Sequence, residues 1–141
     1  MTLVVDAAAI VAMHDRRDPM GGPVEQALRD ESGHLVLPAP VSAEVDYLLA
    51  SRGGPAARRP FLADLAAGRY RVECLEQEDY KTIASLEDTY SDLGVGLADL
   101  SIVILASRFG TNRVATFDER HFRALRPLDG GAFTLLPYDR S

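Results

Sequence analysis

Residues 94–106 constrain the fold of this chain more than any other stretch. They read GVGLADLSIVILA, so almost every position after the glycines is apolar, and a helix formed here would be hydrophobic on all sides. Such a helix has to be buried. The one charge in it, Asp99, lies near the N-terminus, where the helix macrodipole favours a carboxylate. A carboxylate entering a core is costly unless it is paired or binds a metal, so Asp99 has either this structural role or a functional one.

Short apolar runs alternate with helical patterns along the chain, which is typical of a parallel sheet covered on both faces. The predicted strands cover residues 2–5, 34–38, 70–75, 113–116 and 133–136. The predicted helices cover residues 7–13, 24–30, 40–53, 55–67 and 77–90, the apolar stretch, and a short turn at 119–125, with a loop at 15–23. Pro60 should kink its helix or mark the true start. We expect one α/β domain over residues 1–141 with a mostly parallel sheet of four to five strands.

The number of cysteines and the hydropathy pattern indicate the cellular compartment in which the protein works. Cys74 is the only cysteine, which excludes a disulfide framework and a cysteine-based zinc site and fits a reducing environment. The apolar run at residues 3–13 contains Asp6, has no basic residue ahead of it and is too short for a membrane span. We therefore expect a cytoplasmic protein with no membrane partner.

The net charge of −6 by itself argues against a nucleic-acid partner. Two features weaken this objection: Lys81 is the only lysine, so the positive charge is almost all arginine, and arginines outnumber acids beyond Ser107. Arginine suits bidentate contact with phosphate. The candidates for such contacts are Arg120, Arg123 and Arg126, with ordinary solvated arginines as the alternative.

Four acidic residues are predicted to meet at one edge of the sheet. Asp6 and Asp118 directly follow predicted strands, and Glu44 and Asp99 lie near the starts of helices. Functional groups of parallel sheets gather beyond the carboxyl ends of the strands. Each acid alone has a plain explanation as a turn, strand-end or helix-start residue. If all four converge, each like pair costs about 3 kcal/mol at about 6 Å and an effective dielectric constant near 20. Such a cluster cannot stay ionised without cations, and oxygen ligands favour Mg²⁺ or Mn²⁺.

These acids also carry a resemblance to a known family. The segments concerned are Val4-Val5-Asp6, Ser42-Ala43-Glu44, Gly96-Leu97-Ala98-Asp99 and Ala115-Thr116-Phe117-Asp118. They resemble the four acidic motifs of PIN-domain ribonucleases, and the whole chain is most similar to VapC-type toxins of bacterial toxin–antitoxin pairs. The resemblance implies a PIN-like α/β/α sandwich and an endoribonuclease dependent on Mg²⁺ or Mn²⁺.

The resemblance also implies roles for individual residues and partners. Asp6, Glu44, Asp99 and Asp118 would hold the metal, whose bound water would attack the RNA phosphodiester. Thr116 would orient one of these carboxylates through its hydroxyl. The expected partners are RNA, a cognate VapB-type antitoxin that blocks the active site, and a second copy of the chain in a homodimer.

One departure from the family keeps other functions open. Family members usually carry Ser or Thr shortly after the first Asp, where this chain has Ala7-Ala8-Ala9. A PIN-like module that binds RNA or an antitoxin without cutting is therefore the alternative. An aspartyl-phosphate phosphatase is disfavoured, since that chemistry needs a second acid at the position of Ala8. His121 has the chemistry for acid–base work or RNA contact, although a lone histidine is more often a packed or surface residue.

Overall fold

Five short parallel strands form the centre of the molecule in the computed structural model, which describes residues 1–139. The strands are β1 (Leu3–Val5), β2 (Leu35–Pro38), β3 (Arg71–Glu73), β4 (Arg113–Ala115) and β5 (Thr134–Leu136). Their order is β3-β2-β1-β4-β5, and every neighbouring pair is parallel. The middle strand β1 is fully buried, as expected where helices cover both faces of a parallel sheet. The predicted α/β class is confirmed.

Seven α-helices surround the sheet within the described residues. They are α1 (Ala7–His14), α2 (Gly21–Asp30), α3 (Ala39–Gly53), α4 (Arg59–Ala66), α5 (Gln77–Thr89), α6 (Leu97–Arg108) and α7 (Glu119–Ala124). The apolar stretch forms α6, which packs against α3, α5 and the sheet, with every residue from Leu100 to Ala106 buried. The prediction of a buried helix here is confirmed.

The start of α2 differs from the prediction. The loop predicted over residues 15–23 ends at Met20, because Gly21, Gly22 and Pro23 form the first turn of the helix. Helix starts tolerate these residues, since their amide groups have no partner inside the helix. Gly21 also permits close packing on α1: a Cβ atom there would lie 2.8 Å from the carbonyl oxygen of Ala12. Gly21 therefore serves a helix contact rather than a loop, whereas a Cβ atom at Gly22 would meet nothing within 4 Å.

Pro60 marks the true start of its helix. A 3₁₀ turn at Pro55–Arg58 comes first, and α4 then begins at Arg59 with the proline in its first turn. Proline is accepted there because its missing amide hydrogen would have no partner in any case. Of the two predicted alternatives, a kink and a start, the second is right.

The topology brings three chain connections to one edge of the sheet. The carboxyl ends of β1, β2 and β4 lie side by side, and α1, α3 and α7 begin just beyond them. This edge is where the acidic residues were predicted to converge. Within residues 1–139, no helix combines the length and apolar character needed to cross a bilayer.

Candidate metal centre

Asp6 is the most deeply buried acid of the candidate site. It follows β1, caps the N-terminus of α1 and is only 5% exposed. Its Oδ1 accepts a hydrogen bond of 2.8 Å from the Ala7 amide, and its Oδ2 accepts one of 2.6 Å from the Thr116 hydroxyl. Both carboxylate oxygens are thus fixed by the protein, so the side chain is held in one orientation.

Thr116 links Asp6 to Asp118. It lies directly after β4 and is completely buried. Besides donating to Asp6, its hydroxyl oxygen accepts a hydrogen bond of 2.9 Å from the Asp118 amide. Asp118 in turn caps α7, with its Oδ1 accepting from the His121 amide at 3.0 Å. The ends of β1 and β4 are therefore joined through one hydroxyl group.

Asp99 and Glu44 approach the same place from helices. Asp99 lies in the first turn of α6, with its side chain 18% exposed, and Glu44 lies on α3 at a more exposed position. Burial raises the pKa of Asp99, and the charge of Asp118 acts in the same direction, while His121 opposes it. Burial also raises the pKa of Glu44, and the charge of Asp6 adds to this.

The four acids line one cavity of about 380 Å³. Its lining comprises Asp6, Ala7, Ala8, Val11, Ala12, Asp18, Glu44, Leu48, Arg52, Asp99, Phe117, Asp118 and His121. Residues separated by more than a hundred positions in sequence therefore face a common space. The convergence expected from the sheet topology is present.

The electrostatics of this cavity are unfavourable for an unliganded cluster. The pKa of Asp6 is raised from 3.8 to about 6, mainly by burial and also by the charges of Asp99 and Asp118, while the hydrogen bonds from Thr116 and Ala7 oppose the rise. The shift measures how strongly this environment disfavours a negative charge. A divalent cation would reverse the balance, since it restores the ionised form.

His121 completes the cluster. Its Nδ1 lies 2.6 Å from Oδ2 of Asp118 and 3.3 Å from Oδ2 of Asp99. One ligand atom from each of these three residues falls within 4.8 Å of the other two. Carboxylate oxygens and an imidazole nitrogen are a donor set that fits a divalent first-row metal ion. The residues present are therefore compatible with the metal that the resemblance implies.

Comparison with known proteins places the chain in a family. The model of the PIN domain matches residues 3–126. Ribonuclease VapC26 of Mycobacterium tuberculosis is 35% identical over 135 residues, which span 96% of this chain and 100% of that protein. This chain belongs to the PIN-domain family. Within it, the chain is of the VapC type.

A solved structure supports the fold of this PIN domain. The crystal structure of VapC20 of Mycobacterium tuberculosis, described as a sarcin–ricin-loop-cleaving toxin, superposes with a TM-score of 0.76. The match covers 84% of this chain and 91% of that one, at 16% sequence identity. It confirms the predicted PIN-like α/β/α architecture.

Within the described residues, the acid-lined cavity of this PIN domain has one arginine in its lining, Arg52, which was not among the predicted RNA contacts. A second cavity of about 340 Å³ is lined in part by Arg16, Arg17 and Arg52, and Arg52 lines the acid-lined cavity as well. Arg120, Arg123 and Arg126 are all exposed, and none of them lines the acid-lined cavity. The Arg123 guanidinium binds both carboxylate oxygens of Asp139 at 2.7 Å and also pairs with Glu119.

Sequence reasoning considered His121 for acid–base work or RNA contact but not as part of the acidic cluster, and it did not identify Arg52. The i, i+3 spacing of Asp118 and His121 across a helix start was a usable signal, because residues at this spacing lie on one face of a helix. Nothing local marked Arg52, since it lies in the last turn of α3, two turns from Glu44. Ala7 and Ala8 do line the cavity, so the departure from the family's Ser or Thr lies at the site itself.

Proposed function

We propose that this PIN domain is an endoribonuclease that depends on Mg²⁺ or Mn²⁺ and acts in the cytoplasm as the toxin of a VapBC-type toxin–antitoxin pair. The observation that carries the proposal is the convergence of Asp6, Glu44, Asp99 and Asp118 on one cavity. The identity to Ribonuclease VapC26 over almost the whole chain supports RNA as the substrate.

The metal would be held by carboxylates of Asp6, Asp99 and Asp118, with Glu44 at the rim. When bound, such an ion supplies an activated water and neutralises charge on the phosphodiester being cleaved. The protein itself holds the carboxylates in position. Hydrogen bonds from Ala7 and Thr116 fix Asp6, and the helix-capping role of Asp118 fixes its carboxylate, so the acids require little reorganisation when a cation arrives.

RNA binding would draw on the arginines beside the acid-lined cavity. Arg52 lines both cavities, and Arg16 and Arg17 are exposed on the neighbouring one. Together they offer positive charge next to an acidic centre, where a polyanionic strand needs it. Arg120 and Arg126 remain candidates for contacts farther along the strand. Arg123 is a weaker candidate, because two carboxylates already hold its guanidinium.

The proposal includes a VapB-type antitoxin and a homodimer as protein partners. Exposed apolar side chains on two adjacent helices support a protein interface: Tyr47 on α3 is 70% exposed and Leu62 on α4 is 38% exposed. Light scattering of the purified chain, alone and coexpressed with the product of a neighbouring short reading frame, measures both associations.

The deciding experiment is RNA cleavage by the purified protein with and without metal. We expect cleavage with Mg²⁺ or Mn²⁺ and none with a chelator. The cleavage rate of Asp99→Asn should fall by more than about 100-fold, which exceeds the effect of removing a residue that only supports a metal ligand. Asp88→Asn is the matched control, because Asp88 is an exposed acid of α5 that does not line the cavity. Cleavage that persists in Asp99→Asn would refute the proposal. RNA binding without cleavage by the wild-type protein would instead favour the non-cutting module.

A further inference from the structure

We propose that Nδ1 of His121 is itself a ligand of the ion held by Asp99 and Asp118, which gives the site a mixed oxygen and nitrogen donor set that favours Mn²⁺ over Mg²⁺. The inference rests on the proposed function only in requiring a divalent ion among these acids. It concerns the choice of metal, which the resemblance leaves open between Mg²⁺ and Mn²⁺.

The other ring nitrogen of His121 fixes the tautomer. Nε2 lies 3.2 Å from the carbonyl oxygen of Leu93, in the 3₁₀ turn that precedes α6. A carbonyl oxygen only accepts hydrogen bonds, so Nε2 carries the hydrogen in this contact. In the neutral imidazole, Nδ1 is then left with a free lone pair. Histidines that bind metals commonly have this arrangement, in which the second ring nitrogen donates to a backbone carbonyl.

The surroundings of Nδ1 of His121 favour a bound cation. The atom is buried and, within residues 1–139, has no hydrogen-bond partner. Its contacts with Asp118 at 2.6 Å and Asp99 at 3.3 Å are close, yet neither has the direction of a ring N–H hydrogen bond. The two carboxylate oxygens therefore lie beside the Nδ1 lone pair, off its axis, and repel it. A positive ion that all three atoms coordinate turns this repulsion into attraction.

The position of His121 in the chain supports the same role. It follows Asp118 by one turn, and Asp118 caps the helix on which it lies by accepting from the His121 amide. The cap therefore orients the carboxylate and the imidazole together. Leu93 precedes α6, the helix that carries Asp99. The contact of Nε2 with Leu93 therefore connects His121 to the segment that carries the second acid.

The donor set has a consequence for metal preference. Mg²⁺ favours oxygen ligands and retains its waters, whereas imidazole suits the first-row transition metals. Loss of the His121 imidazole should therefore weaken Mn²⁺ binding more than Mg²⁺ binding.

Pulsed electron paramagnetic resonance of Mn²⁺ bound to the wild-type protein tests the inference directly. We expect a coupling to an imidazole ¹⁴N nucleus, which changes to the ¹⁵N pattern when histidine is labelled with ¹⁵N. The coupling should persist in His34→Gln, a matched control at an exposed histidine, and disappear in His121→Gln. Calorimetry should show Mn²⁺ affinity reduced at least about tenfold in His121→Gln, with a smaller change for Mg²⁺.

The wild-type measurement keeps the test decisive even if His121→Gln folds poorly. Bound Mn²⁺ without any imidazole coupling overturns the inference and leaves the proposed nuclease intact. Coupling that survives in folded His121→Gln also overturns it. A protein that binds Mn²⁺ through nitrogen but cuts no RNA would refute the proposed function while supporting the ligand assignment. Absence of Mn²⁺ binding would refute both.

Discussion

The hydroxyl of Thr116 donates a hydrogen bond of 2.6 Å to Oδ2 of Asp6, across a separation of 110 residues in sequence. Both side chains are buried, and the same hydroxyl oxygen accepts from the Asp118 amide at 2.9 Å. One small side chain therefore links the two acids that follow the paired strands β1 and β4. This bond also opposes the rise in the pKa of Asp6 that burial causes.

Thr116→Val should destabilise the protein and impair its chemistry. The substitution keeps the shape but leaves the Asp6 carboxylate and the Asp118 amide without their partner, which costs about 1–3 kcal/mol for a buried group. Urea denaturation at pH 7.5 measures the loss. Thr116→Ser retains the hydroxyl and should recover most of both stability and activity. Equal behaviour of the Val and Ser variants would show that the hydroxyl is unimportant.

The raised pKa of Asp6 predicts a stability that falls as pH rises through the acid range in the absence of metal. The unfolded carboxyl titrates near 3.8 and the folded one near 6, so the folded state binds more protons between these values. The free energy of unfolding should decrease by about 2 kcal/mol from this group between pH 4 and pH 6, out of about 3 kcal/mol over its whole titration range. Asp6→Asn should remove that part of the slope.

Denaturation curves of the wild-type protein and Asp6→Asn at a series of pH values isolate this contribution, since other groups are common to both. Asp88→Asn should keep the wild-type slope. A wild-type slope unchanged by Asp6→Asn would mean that Asp6 is already ionised at low pH in the folded protein.

Sequence reasoning located the acids because their positions follow from topology. Parallel strands end at the same edge, so Asp6 after β1 and Asp118 after β4 were expected at one edge of the sheet, and the strand order then makes β1 and β4 neighbours. The burial of α6 followed from its composition alone. These are consequences of chain order and hydrophobic patterning, which a sequence displays directly.

The contacts of His121, Arg123 and Gly21 were not predicted, because each joins residues that are distant in sequence, through a side chain or a backbone carbonyl oxygen. His121 becomes part of the centre only because the Leu93 carbonyl orients its ring, and Arg123 is held by Asp139, which lies beyond the last strand. The role of Gly21 likewise arises from the close approach of Ala12 on another helix. Apart from the i, i+3 spacing of Asp118 and His121, no local pattern indicates these contacts.

Metal binding should stabilise the folded protein through the acidic cluster. A ligand at 100 times its dissociation constant adds about 2.7 kcal/mol, which corresponds to a rise in melting temperature on the order of 5–10 °C. We expect this rise with Mn²⁺ at pH 7.5 and its near disappearance in Asp99→Asn. The metal-free melting temperature of Asp99→Asn should exceed that of the wild type, because one charge of the repelling cluster is gone. Differential scanning fluorimetry gives both values, and a wild-type melting temperature insensitive to Mn²⁺ would contradict a metal site here.

Arg52→Ala should weaken RNA binding without affecting metal binding. Arg52 lines both cavities, and its charge acts on Asp15, but it forms no hydrogen bond or ion pair within residues 1–139, so its guanidinium is available to a phosphate. Loss of one phosphate contact should reduce the slope of log affinity against log salt by about 0.7 for single-stranded RNA. The Asp99→Asn background prevents cleavage while binding is measured by fluorescence anisotropy. Arg29→Ala, which removes an exposed arginine paired with Glu25 on α2, should leave the slope unchanged. If the two arginine variants behave alike, the strand does not pass over the cavity that Arg52 lines.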